Sequence, residues 1–140
     1  MYDTTMSEQE QIDEFLAGQR FAVVGASNDR AKYGNKVLRV YLQNKLDAVP
    51  VNPNADEVEG VRAFRDLASV PGPVDSVSII TPPSVTESVV KQALSLGIKN
   101  VWVQPGAESQ AAIDSARRAG VNVIAGGPCI LVTLKFREND

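Results

Sequence analysis

At 140 residues, with 44% hydrophobic and 22% charged side chains, the chain has the size and composition of one soluble globular domain. Its net charge of −3 offers no basic face for nucleic acid, and the absence of histidine removes His-based metal sites and Ser-His or Cys-His nucleophiles. No apolar run nears the roughly 20 residues that cross a bilayer; the acidic start lacks a signal-peptide core, and a lone Cys129 leaves no internal disulfide, so a reducing, cytoplasmic setting is expected.

Residues 7–18 are expected to form an amphipathic helix. Ser7 is its N-cap, Glu10 the capping-box partner, Ile12, Phe15 and Leu16 share a face, and Gly18 stops it. FAVV (21–24) is an apolar run of the kind buried on both faces of a parallel sheet. After GASNDRAKYG, the segment NKVLRVYLQNK sets Val37, Leu38, Tyr41 and Leu42 at helical spacing. AVPV (48–51) is a second strand cut off by NPN. GVRAF (60–64) reads as a small extra strand, and RDLASVPGPV as a helical turn and a Pro/Gly connector. DSVSIIT (75–81) is a third core strand, stopped by Pro82 and Pro83. The helix over 84–97 is expected to start on Ser84 as N-cap, with Glu87 closing a capping box and Gly97 as C-cap. NVWV (100–103) is a fourth strand. A helix follows over 109–120, with Arg117 and Arg118 near its negative end, and VNVIAGG (121–127) is a fifth strand leading into PCILV.

Strands alternating with helices over short connections predict an α/β fold. The expected form is a Rossmann-like, doubly wound parallel sheet of about five strands with helices on both faces, in a single domain. Residues 1–20 form an N-terminal helix and tail, 21–134 the domain proper and 135–140 a C-terminal tail. About six residues at the start and five at the end are expected to be loose.

Such sheets bind ligands beyond the carboxyl ends of their strands, where the strand order reverses. The segments there are GASNDRAKYG, NPN, TPPS, QPGAES and GGPC, rich in Gly, Pro, Ser and Asn rather than in acids, bases or nucleophiles. That suits a backbone cradle for a polar ligand better than a proton-transfer site. In the first loop Gly25 permits a tight exit from the strand, and the helix starting near Tyr33 or Gly34 presents free N–H groups. Arg30, Lys32 and Lys36 add three cations, so a phosphate ester is expected; the rival reading is a plain turn with solvated charges. NAD(P) is the disfavoured ligand. Ser27 stands where a glycine should admit the pyrophosphate, and the second strand ends in Asn52 and Asn54, with acids only at Asp56 and Glu57. Pro82 and Pro83 form either a flat wall for an adenine or pantetheine, or a stiff connector. Trp102 reads as core, with Gln104 the first side chain into the crevice. Cys129 is either a small buried hydrophobe or a thiol beside the ligand.

Together VVGAS, VPVNPNADEVEGVRAF, DSVSIITPPSVTESVVKQALSLGIKNVWVQPGAES and GGPC resemble the CoA-binding domain family, most closely its small stand-alone members. The resemblance runs from about Phe21 to Val132. More distantly, the chain is similar to the N-terminal domain of the succinyl-CoA ligase α-subunit. It implies a Rossmann-like domain holding the nucleotide end of coenzyme A. Ser27, Asn28, Asp29 and Arg30 would meet the phosphates, within a loop running from Gly25 and Ala26 to Tyr33 and Gly34. Asn52 and Pro53 would border the adenosine, and Thr81, Pro82 and Pro83 the adenine and pantetheine path. Gln104, Pro105 and Gly106 would form the far wall, with Cys129 close by. Arg30 and Lys32 are the candidates for the 3′-phosphate.

Three departures stand out: no phosphorylatable histidine, no lysine after the second strand, and GGPC in place of an acid-arginine-cysteine ending. The expected function is therefore binding of coenzyme A or an acyl-CoA without catalysis. The alternatives are a partner-dependent ligase-like subunit, a redox carrier using Cys129, or an NAD(P)-binding protein. The expected partner is a small nucleotide, with no nucleic acid or membrane. The apolar stretch ILVTLKF allows a homodimer.

Overall fold

The computed structural model describes residues 6–139. In chain order they form α1 (Glu8–Leu16), β1 (Arg20–Val24), α2 (Tyr33–Gln43), β2 (Asp47–Val51), a hairpin of β3 (Glu57–Val58) and β4 (Val61–Arg62), a 3-10 turn (Leu67–Ser69), β5 (Ser76–Ile79), α3 (Pro83–Ser95), β6 (Asn100–Val103), α4 (Gln110–Arg118), β7 (Asn122–Ile124) and α5 (Ile130–Thr133). Five strands make one parallel sheet in the order β2-β1-β5-β6-β7, while β3 and β4 pair antiparallel. The chain leaves β1 first toward β2 and then, after the hairpin, toward β5 on the opposite side. The order therefore reverses between β1 and β5, and this is the switch point where such sheets bind ligands.

Period-two alternation builds the two layers. Ala22, Val24, Val77, Ile79, Val101 and Val103 face α3 and α4, whereas Phe21, Val23, Trp102 and Ile124 face α1, α2 and α5. Each fully buried Val or Phe contributes about 1.5–3 kcal/mol of transfer free energy, so both layers are needed to hold the sheet. On the α1/α2 side β5 presents only Ser76 and Ser78, and the space they leave is filled by aromatic rings. Phe15 meets Trp102 edge-on at 5.3 Å, and Phe21 lies 5.0 Å from Tyr41. Both serines are satisfied. Ser76 Oγ donates to the carbonyl of Phe15 at 2.8 Å, and the hydroxyls of Ser78 and Tyr41 share a hydrogen bond of 2.6 Å.

The Ser7–Glu10 capping box forms as the sequence predicts, and Ser109 caps α4, its side chain accepting from the N–H of Ala112. Four expectations need correction. Helix α3 begins two residues early, with Pro82 rather than Ser84 as N-cap and Pro83 at N1, because a proline's fixed φ suits the first helical position. Ser84 is therefore inside the helix, and Glu87 accepts a hydrogen bond from Ser109 Oγ at 3.1 Å instead of closing a box. Within GVRAF only Val61–Arg62 enters the hairpin, which turns at Glu59 and Gly60 with φ of +50° and +77°. β7 stops at Ile124, ahead of positive-φ Gly126 and Gly127. Nor is the described part of the C-terminal tail loose. Gln43 exchanges two hydrogen bonds with the backbone of Arg137, at 2.7 and 2.9 Å, and Phe136 packs under the guanidinium of Arg39. Most of the N-terminal stretch expected to be loose lies outside the described residues.

Burial holds the Tyr41 phenol far above its ordinary value, against a smaller opposing effect of the Ser78 hydrogen bond. A raised phenol pKa favours the neutral folded form below the unfolded value of about 10 and loses that advantage as pH rises beyond it. Tyr41→Phe should therefore cost about 1–2 kcal/mol near neutrality by orphaning Ser78. In urea titrations the gap between wild type and variant should shrink above pH of about 10.

Candidate functional site

Val24 pairs with Val51 and with Ile79, so Gly25, Asn52 and Ile80 leave the sheet at one height. Above them a cavity of about 550 Å³ opens, within the range of ligand sites. The ends of β1 and β2, Val24 and Val51, make an apolar floor. Gly25, Ala26, Ser27 and Lys32 border one side and Asn52 and Pro53 another, with Ile80 and Thr81 between. The far wall is Val85, Ser88, Val89 and Gln92 of α3, with Arg65, Asp66 and Leu67.

Glycine is required at two points of this rim. Gly25 has φ of +98°, and a Cβ on it would overlap the carbonyl oxygen of Ile80; one on Gly34 would overlap the carbonyl of Gly25. The first turn of α2 thus rests directly on the exit of β1, with no side chain between them. The rest of the loop is braced by its own polar groups. Ser27 Oγ accepts from the N–H of Asp29 at 3.0 Å, Asp29 Oδ1 from that of Ala31 at 3.0 Å, and Asn28 Nδ2 donates to the carbonyl of Glu57 at 3.0 Å. Asn52 ties two rims together, donating to the Ala26 carbonyl at 2.8 Å and accepting from Asn54 N–H at 2.7 Å. Beneath the loop, buried Asn35 donates to the Ser27 carbonyl and to Glu59, and accepts from buried Arg39 at 2.6 Å. Arg39 in turn donates to the Arg30 carbonyl at 3.0 Å and faces Glu138 at 3.7 Å.

Of the residues predicted from sequence, Gly25, Ala26, Ser27, Lys32, Asn52, Pro53 and Thr81 line the cavity. Asn28, Asp29, Tyr33 and Gly34 do not; the first two are spent on the loop and the last on packing. Arg30 turns to Glu59, Nε to Oε2 3.3 Å, and Lys36 to Glu138 at 3.3 Å. Pro82 and Pro83 start α3 beside Thr81. Gln104 does not reach into the crevice. It is buried, its Oε1 accepting from Ile130 N–H at 2.9 Å and its Nε2 donating to Cys129 Sγ at 3.4 Å. Pro105, Gly106 and Cys129 lie at the ends of β6 and β7 and are not among the lining residues. Sequence reasoning missed Arg65–Leu67 and the α3 wall. The available signal was slight: beyond the buried Thr86, Val89, Val90 and Ala93, α3 carries one exposed apolar residue on that wall, Val85.

Helices α1 and α4 have serine caps, but no side chain caps α2 or α3, whose first turns flank the switch point. Their leading N–H groups carry the partial positive charge that favours an anion. Lys32 and Arg65 add cations. Asp66 brings a carboxylate to the rim, which Asp56 and Glu57 do not. A hydrogen bond from the Ser69 hydroxyl, at 2.6 Å, holds its carboxyl below the usual range. Among the described residues there is no group of three or more Cys, Asp or Glu able to hold a metal, and no helix long and apolar enough to cross a membrane.

An open parallel sheet with a cleft at its β1/β5 switch point defines a Rossmann-like α/β domain. The chain belongs to the CoA binding domain family, whose profile matches residues 19–135. It is 34% identical over 95 residues to the α-subunit of acetate–CoA ligase [ADP-forming] II of Pyrococcus furiosus, covering 66% of this chain but 20% of that subunit. It is 29% identical over 115 residues to the uncharacterized protein YneT of Bacillus subtilis, covering 81% of this chain and 85% of that one. Among solved structures, a hypothetical protein of Pyrococcus horikoshii superposes with a TM-score of 0.86 at 26% identity, covering 96% of this chain and 97% of that one. The chain thus spans about a fifth of the ligase subunit but most of YneT.

Gly34→Ala should cost about 3 kcal/mol or more, because the new methyl meets backbone that cannot step aside. Gly60→Ala, with nothing within 4 Å but φ of +77°, should cost only about 1–2 kcal/mol. Chemical denaturation of the two variants checks the contrast.

Proposed function

We propose that this chain binds coenzyme A, or an acyl-CoA, by its adenine-nucleotide end in the cavity above β1, β2 and β5, without a catalytic step of its own. The observation that carries the reading is the composition of that cavity in a member of the CoA binding domain family. An apolar floor of Val24 and Val51, with Leu67 on the wall beside it, suits an adenine. The backbone of Gly25–Ser27 and Lys32, the N-cap of α2, would hold the diphosphate. Coenzyme A supplies a thiol that carries acyl groups. This chain's residues bind and orient the nucleotide and leave that thiol's chemistry to other groups. Supporting the non-catalytic half, the ionisable side chains lining the cavity are Lys32, Arg65 and Asp66, and the Asp66 carboxyl is pushed away from the range of a general base.

A second reading is favoured by the likeness to a ligase α-subunit: this chain serves as the CoA-holding part of a larger acyl-CoA-forming assembly. Affinity purification from the native cell separates the two readings. Recovery of a nucleotide-binding ligase partner in stoichiometric amount supports the assembly; recovery of the chain alone supports the stand-alone binder.

Calorimetric titration tests binding itself. Coenzyme A should bind saturably and NAD much more weakly. A hundredfold excess over the dissociation constant should add about 2.7 kcal/mol of stability. Equal binding of the two, or binding of neither, overturns the reading.

A further inference from the structure

We propose that Arg65 reads a phosphate on the ribose of the bound adenylate, so that the cavity separates coenzyme A from the same molecule without its 3′-phosphate. This rests on the coenzyme A reading above and replaces the assignment of that group to Arg30 and Lys32.

Phe64 supplies the placement. It pairs in parallel with Val51, donating its N–H to the carbonyl of Pro50 at 3.1 Å and accepting from Asn52 N–H at 2.8 Å. That short pairing extends the sheet beyond β2 and delivers Arg65 and Asp66 to the carboxyl end of β2. In doubly wound folds the adenosine ribose lies at this end. A carboxylate there takes free hydroxyls, and an arginine accommodates a ribose phosphate.

Neighbouring contacts then decide which of the two side chains is available. Asp66 Oδ1 accepts from Ser69 N–H at 2.9 Å and from Ser69 Oγ at 2.6 Å, so its carboxylate is committed to the 3-10 turn. Its other oxygen is 3.9 Å from Arg65 Nε, too far for a hydrogen bond. The Arg65 side chain is 80% exposed at the rim, on a turn anchored to α3 by Leu67 N–H donating to Gln92 Oε1 at 2.9 Å. A fixed backbone carrying an open guanidinium suits bidentate capture of a phosphate.

Rival cations are placed otherwise. Arg30 faces Glu59 and does not line the cavity, and Lys36 faces Glu138. Lys32 lines it, but from the N-cap of α2, on the same side as the first loop's amides, where a diphosphate would lie.

Calorimetric titration of coenzyme A and dephospho-coenzyme A into wild type, Arg65→Ala and Arg30→Ala tests the assignment. Wild type should prefer coenzyme A by about tenfold or more. Arg65→Ala should lose that preference through weaker coenzyme A binding alone, its affinity for dephospho-coenzyme A staying within roughly twofold. Arg30→Ala should keep the preference. If Arg65→Ala retains it or weakens both ligands equally, or if wild type shows none, the role of Arg65 is overturned while the coenzyme A reading stands. Wild type that binds neither ligand overturns both.

Discussion

Three backbone segments meet without side chains between them at the centre of this molecule: the exit of β1 at Gly25, the exit of β5 at Ile80, and the first turn of α2 at Gly34. The site depends on that contact. It brings the leading N–H groups of α2 down to the sheet edge and holds Ala26 and Ser27 over the floor formed by Val24 and Val51. A Rossmann fingerprint achieves the same approach with glycines closely spaced in one turn. Here the need for a bare helix start persists, but nine residues after Gly25, with a self-braced loop between.

The bracing redistributes charge in a way that composition conceals. Of the cations clustered in the first loop and α2, Arg30 and Lys36 face glutamates, and Arg39 is buried as the hub linking Asn35, the Arg30 carbonyl and Glu138. Burying a guanidinium is costly unless it is hydrogen-bonded and paired, and here it has both kinds of partner. The described C-terminal residues therefore belong to the support of the first loop, although they lie far from it along the chain. Lys32 and Arg65 are what remain facing the cavity, one on each rim.

A similar economy operates on the opposite face of the sheet. Small serines in β5 make room for Phe15, Phe21, Tyr41 and Trp102, and each buried hydroxyl finds a partner within that cluster. This face carries α1 and α5 and keeps the sheet rigid, while the cavity occupies the α3 side. Gln104 belongs to this support as well, pinning the start of α5 to the end of β6.

Alternating apolar runs, turn residues and a serine cap are local signals, and from them the sequence alone determined the five parallel strands, the order of the helices and the level at which the strand-end loops emerge. Local patterning together with the family resemblance also pointed to Gly25, Ala26, Ser27, Lys32, Asn52, Pro53 and Thr81, which line the cavity from the loops just past the strands and the start of α2. Only the tertiary structure decided which charges face the cavity. Arg65 reaches the rim because Phe64 pairs with Val51, some thirteen residues earlier, and Arg30 leaves it because Glu59 stands on a hairpin folded against the loop. Pairings of that kind depend on where separate segments dock, and no spacing along the chain encodes them.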